Sequence, residues 1–236
     1  MKKFVFVLVL LALGNICMGQ SLFPPLEEMP IAGEGFLVLK NGEKIQGKLA
    51  YVNSSRGITK VALKDDAGTK HEYKVSDIYE FAIANTKWVQ LQLFNESGQS
   101  IKKLLLSNPE NIRSQDFVLF RNVKMKGGKD ALLQILNPHF DERLQVYHDP
   151  FARKTTALEN NGITFTGEMD RAYFIAKDNG PMVKIKKGSY AKSYGALFLD
   201  CPDMLKTRNP KFKDLGMHIY YYTNACGQDT KLYFGE

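Results

Sequence analysis

The sequence predicts a mainly β protein of the α+β kind, with its helices gathered at the C-terminal end. Three observations carry that reading. From Phe36 to Ile185 the chain is a series of short alternating apolar runs separated by Gly, Asn and Asp turns. Helical periodicity is clear only after Lys187. The composition, 44% hydrophobic and 11% aromatic over 236 residues, is rich enough to bury a core and excludes a disordered tail.

Residues 1–19 read as an export address. Lys2 and Lys3 precede an unbroken apolar run from Phe4 to Leu13, and Cys17-Met18-Gly19 puts small residues at the −3 and −1 positions of a cleavage site. Cleavage there makes Gln20 the mature N-terminus. The apolar run is shorter than the roughly 18 residues needed to span a bilayer. A lipid-attachment reading at Cys17 fits less well, because Gly14, Asn15 and Ile16 are not a lipobox. The expectation is a periplasmic or secreted protein, associated with the envelope.

Residues 20–33, with Pro24, Pro25 and Pro30, read as an extended leader. Residues 34–85 read as a small β-barrel-like module. Phe36–Lys40 and Lys44–Tyr51 form a hairpin across Asn41-Gly42, Val61–Lys64 and His71–Val75 a second pair, and Ile78–Ile83 the closing strand. Residues 86–186 read as a further antiparallel β region. It begins with Trp88–Phe94 and Ile101–Leu106 around Ser97-Gly98, and continues through Phe117–Val123, Leu132–Leu136, Leu144–His148 and Ile163–Thr166. It ends in a hairpin of Tyr173–Ala176 with Met182–Ile185 across Asn179-Gly180. Pro150 to Asn161 reads as an exposed loop.

Residues 187–226 read as helical. Tyr190, Tyr194, Leu197, Phe198 and Cys201 follow one helix face, with Ser189 at the N-cap and Pro202 as the stop. A second stripe runs through Phe212, Leu215, Ile219, Tyr222 and Cys226 to Gly227, and 227–236 is a tail. These helices need the upstream sheet to cover their apolar faces. His218 falls off the stripe and is expected to face solvent. Tyr220 and Tyr221 are expected to be partly exposed, as a partner surface or as packing.

After cleavage the chain keeps two cysteines, Cys201 and Cys226. In an oxidising compartment an even number favours a bond. A tight helical hairpin turning near Asn209 argues against it. Cys201 would lie near the turn and Cys226 more than about 20 Å along the second helix at 1.5 Å per residue, whereas bonding needs Cα atoms within about 7 Å. The bond requires crossing segments or a first helix that ends early at Pro202. Two buried thiols are the alternative.

The formal charge of +7 is spread along the chain, with small clusters at Lys102-Lys103, Lys124-Lys126 and Lys184-Lys186-Lys187. A basic surface can meet nucleic acid, anionic lipid or anionic glycan, or simply be solvated. Nucleic acid is excluded by export. The hairpin with Asn41-Gly42 and Gly47 is similar to Sm-like RNA-binding barrels only in these generic positions.

The chemistry-bearing motifs of P-loops, dinucleotide folds, serine hydrolases and zincins do not occur. No catalytic residue is assigned and no cofactor fingerprint is present. The densest cluster of metal-ligating types is His139, Asp141, His148 and Asp149, which could hold a divalent cation if a hairpin brought them together. Their positions beside Asn137-Pro138 and Asp149-Pro150 fit turn chemistry equally well. Two function classes follow. One is a non-enzymatic binding or structural module that meets an envelope protein or glycan through strand edges and loops. The other is a metal-dependent enzyme with its site near His139–Asp149.

One resemblance is carried by short motifs in the last quarter of the chain. Met182-Val183-Lys184-Ile185-Lys186-Lys187, Leu197-Phe198, Asp200-Cys201-Pro202 and Tyr222-x-Asn224-x-Cys226 resemble the C-terminal pattern of uncharacterised exported proteins of Bacteroidetes-type bacteria, and the Gln20 start is similar too. The resemblance implies an envelope or secreted protein. It brings no activity and no site residue.

Overall fold

The computed structural model describes residues 22–26, 28–54, 57–98, 115–152, 158–160, 163–165 and 172–226. The expected export segment at 1–19, the expected strand at Ile101–Leu106 and the expected tail at 227–236 lie outside the described residues.

The fold is mainly β. Five strands come first: β1 Glu34–Leu39, β2 Lys44–Asn53, β3 Lys60–Lys64, β4 Lys70–Lys74 and β5 Ile78–Ala84. Helix α1, Lys87–Gly98, follows, then β6 Phe117–Lys124 and β7 Asp130–Gln134. These seven strands form one antiparallel sheet in the order β4-β3-β2-β1-β5-β6-β7. The sheet boundary therefore does not fall at 85/86: β6 and β7 extend the first sheet.

The edge strand β7 does not stay open. Ile58, just before β3, exchanges both backbone hydrogen bonds with Leu132, at 3.0 and 2.9 Å. The sheet thus curls back on itself, and the seam is made by a loop segment. Gly57 permits this approach. Its φ is +87°, and a Cβ there would lie 3.0 Å from Leu133 Cδ2 and 3.3 Å from Ala131 Cβ. The inner face is apolar: Leu37, Val61, Phe81, Ile83, Val118 and Leu132 are all buried.

The leader seals one side. Phe23 and Leu26 are buried in the same core. Phe23 N–H donates to Leu136 O (2.6 Å), Leu26 N–H to Gln134 Oε1 (2.6 Å), and Gln134 Nε2 to Pro24 O (3.0 Å).

The Trp88–Phe94 segment is helix, not strand. Its alternating pattern is misleading, because the two residues that pack are Val89 and Leu93, four apart on one helical face. Trp88 and Leu91 are exposed. Thr86 starts the helix: its carbonyl accepts Gln90 N–H at 2.8 Å and its Oγ1 accepts Val89 N–H at 3.4 Å.

Past β7 the chain turns on Asn137, which is fully buried and fully used. Its Nδ2 donates to Phe140 O (2.9 Å) and Leu144 O (2.6 Å), and its Oδ1 accepts Val146 N–H (2.8 Å). A second sheet follows, in the order β12-β11-β8, from β8 Leu144–His148, β11 Ala172–Lys177 and β12 Val183–Lys186. A bridge from Ile135 to Tyr147 joins the two sheets. Between β8 and β11, β9 Leu158–Asn160 and β10 Ile163–Phe165 pair with each other; β10 is the expected Ile163–Thr166 strand, whereas β9 lies within the stretch expected to be loop. The β11–β12 turn sits one residue earlier than expected. Asp178 and Asn179 take positive φ (49° and 57°), and Gly180 N–H bonds Lys177 O at 2.7 Å.

Three short helices close the molecule: α2 Tyr190–Leu197, α3 Pro202–Leu205 and α4 Leu215–Asn224. Their apolar faces pack on Val146, Tyr173, Ile175 and Ile185 of the second sheet, as the periodicity required. Ser189 stands at the α2 cap, but its hydroxyl donates to Lys186 O (3.3 Å).

Candidate functional site

A cleft of about 220 Å³ opens where the leader, the segment before β3, β7 and the end of β8 meet. Its apolar wall includes Leu26, Met29, Ile58, Phe120 and Leu132; its polar side is Gln134, His148 and Asp149. The sequence places these groups together by register. β7 sends Leu132 and Gln134 to the barrel side, and Leu133 and Ile135 into a smaller core between the sheets. β8 delivers His148 and Asp149 at its end, just before Pro150 stops the strand.

Asp149 has no exposed surface. Its Oδ1 accepts Phe151 N–H at 3.0 Å, an Asx turn. Its Oδ2 lies 2.5 Å from Lys184 Nζ on β12. Burying a carboxylate is costly without a counter-ion, and Lys184 supplies it across β11. Sequence reasoning placed Lys184 in a basic cluster and missed this role. The partnership depends on the order β12-β11-β8, which local pattern does not encode.

The four metal-ligand candidates are not brought together. His148 and Asp149 reach the cleft. His139 is exposed, with Nε2 3.1 Å from Gln115 Nε2. Asp141 is paired with Arg121, whose Nε also bonds Glu80 Oε2 at 3.1 Å. Burial opposes the Arg121 charge, but Asp141 and Glu80 outweigh it and hold the guanidinium above its ordinary range. Among the described residues no three His, Cys, Asp or Glu side chains form a metal-binding group. No protein family, curated protein or solved structure matches the chain. What the cleft can do must be read from its own chemistry.

The helical end holds a second polar constellation. Cys201 and Cys226 are disulfide-bonded, with Cα atoms 5.7 Å apart. The tight-hairpin geometry that argued against the bond does not occur, because the first helix ends at Leu197. Pro202 then opens the separate turn α3, and the chain returns to Cys226 at the end of α4. Both cysteines are therefore cross-links and not nucleophiles. Beside the bond, Asp200 accepts from Lys177 (2.5 Å), Tyr222 Oη (2.6 Å) and Arg143 (3.0 Å), and Arg143 also stacks on the Tyr222 ring. Burial pushes the Asp200 carboxyl up, but the hydrogen bonds from Lys177 and Tyr222 win and hold it below the usual carboxylate range. The same burial, with Asp200 as acceptor, raises the Tyr222 phenol.

His218 is buried, not solvent-facing: only 3% of it is exposed. Tyr190, Tyr194 and Phe198 surround its ring, and the Tyr190 hydroxyl lies 2.6 Å from its Nδ1. Burial pushes its pKa down to about 4, with Asp214 acting weakly the other way. His218 is thus neutral, and the Tyr190 hydroxyl that shares its hydrogen bond is also kept neutral, burial raising its pKa. Tyr221 is buried as well, and only Tyr220 of the three tyrosines keeps partial exposure apart from its ring contact with Phe140. The stripe widens because α4 is covered on two sides, by the sheet and by α2.

Proposed function

We propose that the chain is an exported protein of the cell envelope that binds a partner through its loops and strand faces rather than transforming a substrate. The single observation that carries this reading is the Cys201–Cys226 bond. A bond that fastens the core of a helical lobe suits an oxidising compartment, and it agrees with the export segment expected at 1–19 and with the resemblance to exported Bacteroidetes-type proteins. The cleft supports binding. Its buried carboxylate is already held by Lys184 and a backbone N–H, an arrangement that fixes a shape and a dipole.

The test is the intact mass of the protein recovered from its native envelope fraction, before and after reduction. The expected species begins at Gln20 and is lighter than its reduced form by two thiol hydrogens. A chain that keeps Met1, or a Cys17 start with added lipid mass, would overturn the cleavage assigned here. Two free thiols would remove the oxidising compartment. The metal-enzyme reading makes its own demand, stoichiometric zinc or calcium after purification without chelator. Finding either would displace the binding reading.

A further inference from the structure

Strands β2, β3 and β4 present an outward grid that no apolar core requires. The register sets Lys48 opposite Lys64 and Lys64 opposite Lys70, one lysine row across three strands. Four positions along, Lys60 stands opposite Lys74, beside Asn53. Between the rows run Tyr51, Ala62 and Glu72. The bulge between Leu49 and Tyr51 is what brings Tyr51 onto this face. Ala62 is fully buried, Tyr51 is 46% exposed, and all five lysines are exposed.

Like charges directly opposite in a sheet repel, with Cβ atoms about 5 Å apart. Glu72 relieves part of this, reaching Lys60 at 2.6 Å and Lys70 at 3.0 Å. Lys70 Nζ lies 5.7 Å from the Tyr51 ring centre. Among the described residues Lys48, Lys64 and Lys74 have no ion pair. The other face of the same strands carries Leu49, Val61 and Leu63 in the core, so the lysines cannot turn inward. The face holds a net excess of cations at a cost in stability.

We propose that this face binds a linear acidic polysaccharide, with carboxylates met by the two lysine rows and a sugar ring stacked on Tyr51. Strands lie about 4.8 Å apart, so each row offers a cation at about the repeat of one sugar unit. The rows flank a track about two residues to either side of its middle. A membrane surface is planar and wants apolar side chains inserted, whereas this face is a twisted strip with one exposed aromatic ring. Single-stranded nucleic acid uses a succession of stacking rings, and the grid has one. The choice of a glycan rests on the export reading above.

The experiment measures binding of the full chain to polygalacturonate in low salt. Its methyl ester, oligo-dT and phosphatidylglycerol vesicles are the comparison probes. Polygalacturonate should bind and its neutral ester should not. K48E/K64E should weaken binding by about ten-fold or more, while K192E/K211E, with the same change of net charge elsewhere, should leave it unchanged. Lys64→Gln should keep the fold and raise Tm, since it removes repulsion, and still weaken binding. The proposal falls if polygalacturonate does not bind, if K192E/K211E loses as much as K48E/K64E, if Lys64→Gln lowers Tm, or if oligo-dT or vesicles bind more tightly. Failure of the export reading is seen separately, in the intact mass. An exported protein that ignores polygalacturonate loses only this proposal, and a retained Met1 with binding intact loses only the other.

Discussion

The barrel and the helical lobe solve the same burial problem with different chemistry. The barrel core is aliphatic and phenylalanine: Leu37, Leu63, Ile78, Ile83 and Phe81 have almost no exposed surface and no polar atom to satisfy. The helical lobe buries Tyr190, Tyr222 and His218, each with a polar atom that needs a partner, and adds a disulfide. Seven paired strands, with β7 bridged back to Ile58 ahead of β3, hold the barrel. The helices of the lobe are too short to stand alone, so cross-links and charge-assisted hydrogen bonds fix them. The barrel should be indifferent to reductant and the lobe sensitive to it, and the lobe alone buries a histidine whose protonation opposes folding.

The largest expected effect lies in the barrel. Phe81→Ala removes a fully buried ring that packs on Phe120 at 5.6 Å, and should cost about 3–5 kcal/mol in urea unfolding. A loss below about 1 kcal/mol would mean that this core is not the organising one.

Next comes the bond. Cys201→Ser with Cys226→Ser opens a 25-residue separation and should cost about 3 kcal/mol. Hydrogen exchange should speed up in α2, α3 and α4 while β1, β5 and β6 stay protected. Uniform acceleration in both regions would dissolve the contrast.

His218 gives a third handle. Its pKa is about 4 in the fold and near 6.5 when unfolded, so between those values the unfolded chain binds the extra proton. Stability from this residue is fully present above about pH 6.5 and is lost as pH falls toward 4, by about 3 kcal/mol in all. His218→Gln should flatten that part of the pH profile. An unchanged profile would place the pH sensitivity elsewhere.

The smallest effect tests the seam. Gly57→Ala forces a side chain onto φ +87° and against Leu133, and should cost about 1–2 kcal/mol. The damage should appear first as faster exchange at Ile58 and Leu132.

The sequence discloses features that depend on near neighbours. The first five strands, the C-terminal amphipathic stripes and the hairpin positions are all set by local periodicity and turn residues. The Trp88–Phe94 run misleads because Trp-Val-Gln-Leu-Gln-Leu alternates polar and apolar groups as a strand does, while the helix signal at Thr86 is a single residue. The pairing of Asp149 with Lys184, the closure of Ile58 on Leu132 and the burial of His218 depend on which elements become neighbours across the fold. The lysine grid lies between these cases. Lys44 and Lys48, Lys60 and Lys64, and Lys70 and Lys74 repeat a four-residue spacing in three successive strands, but only the hairpin register shows that Lys48, Lys64 and Lys70 share a row.

The pinned leader also has a timetable. Leu26 finds its acceptor on Gln134, 108 residues downstream, and the return bond from Gln134 to Pro24 spans 110. A chain made or delivered from its N-terminus presents the leader first and its partner strand much later. For that interval Phe23 and Leu26 have no pocket to enter, and the side of the core they seal stays open. Docking of the leader is then the late event that ends this window, after β7 has arrived.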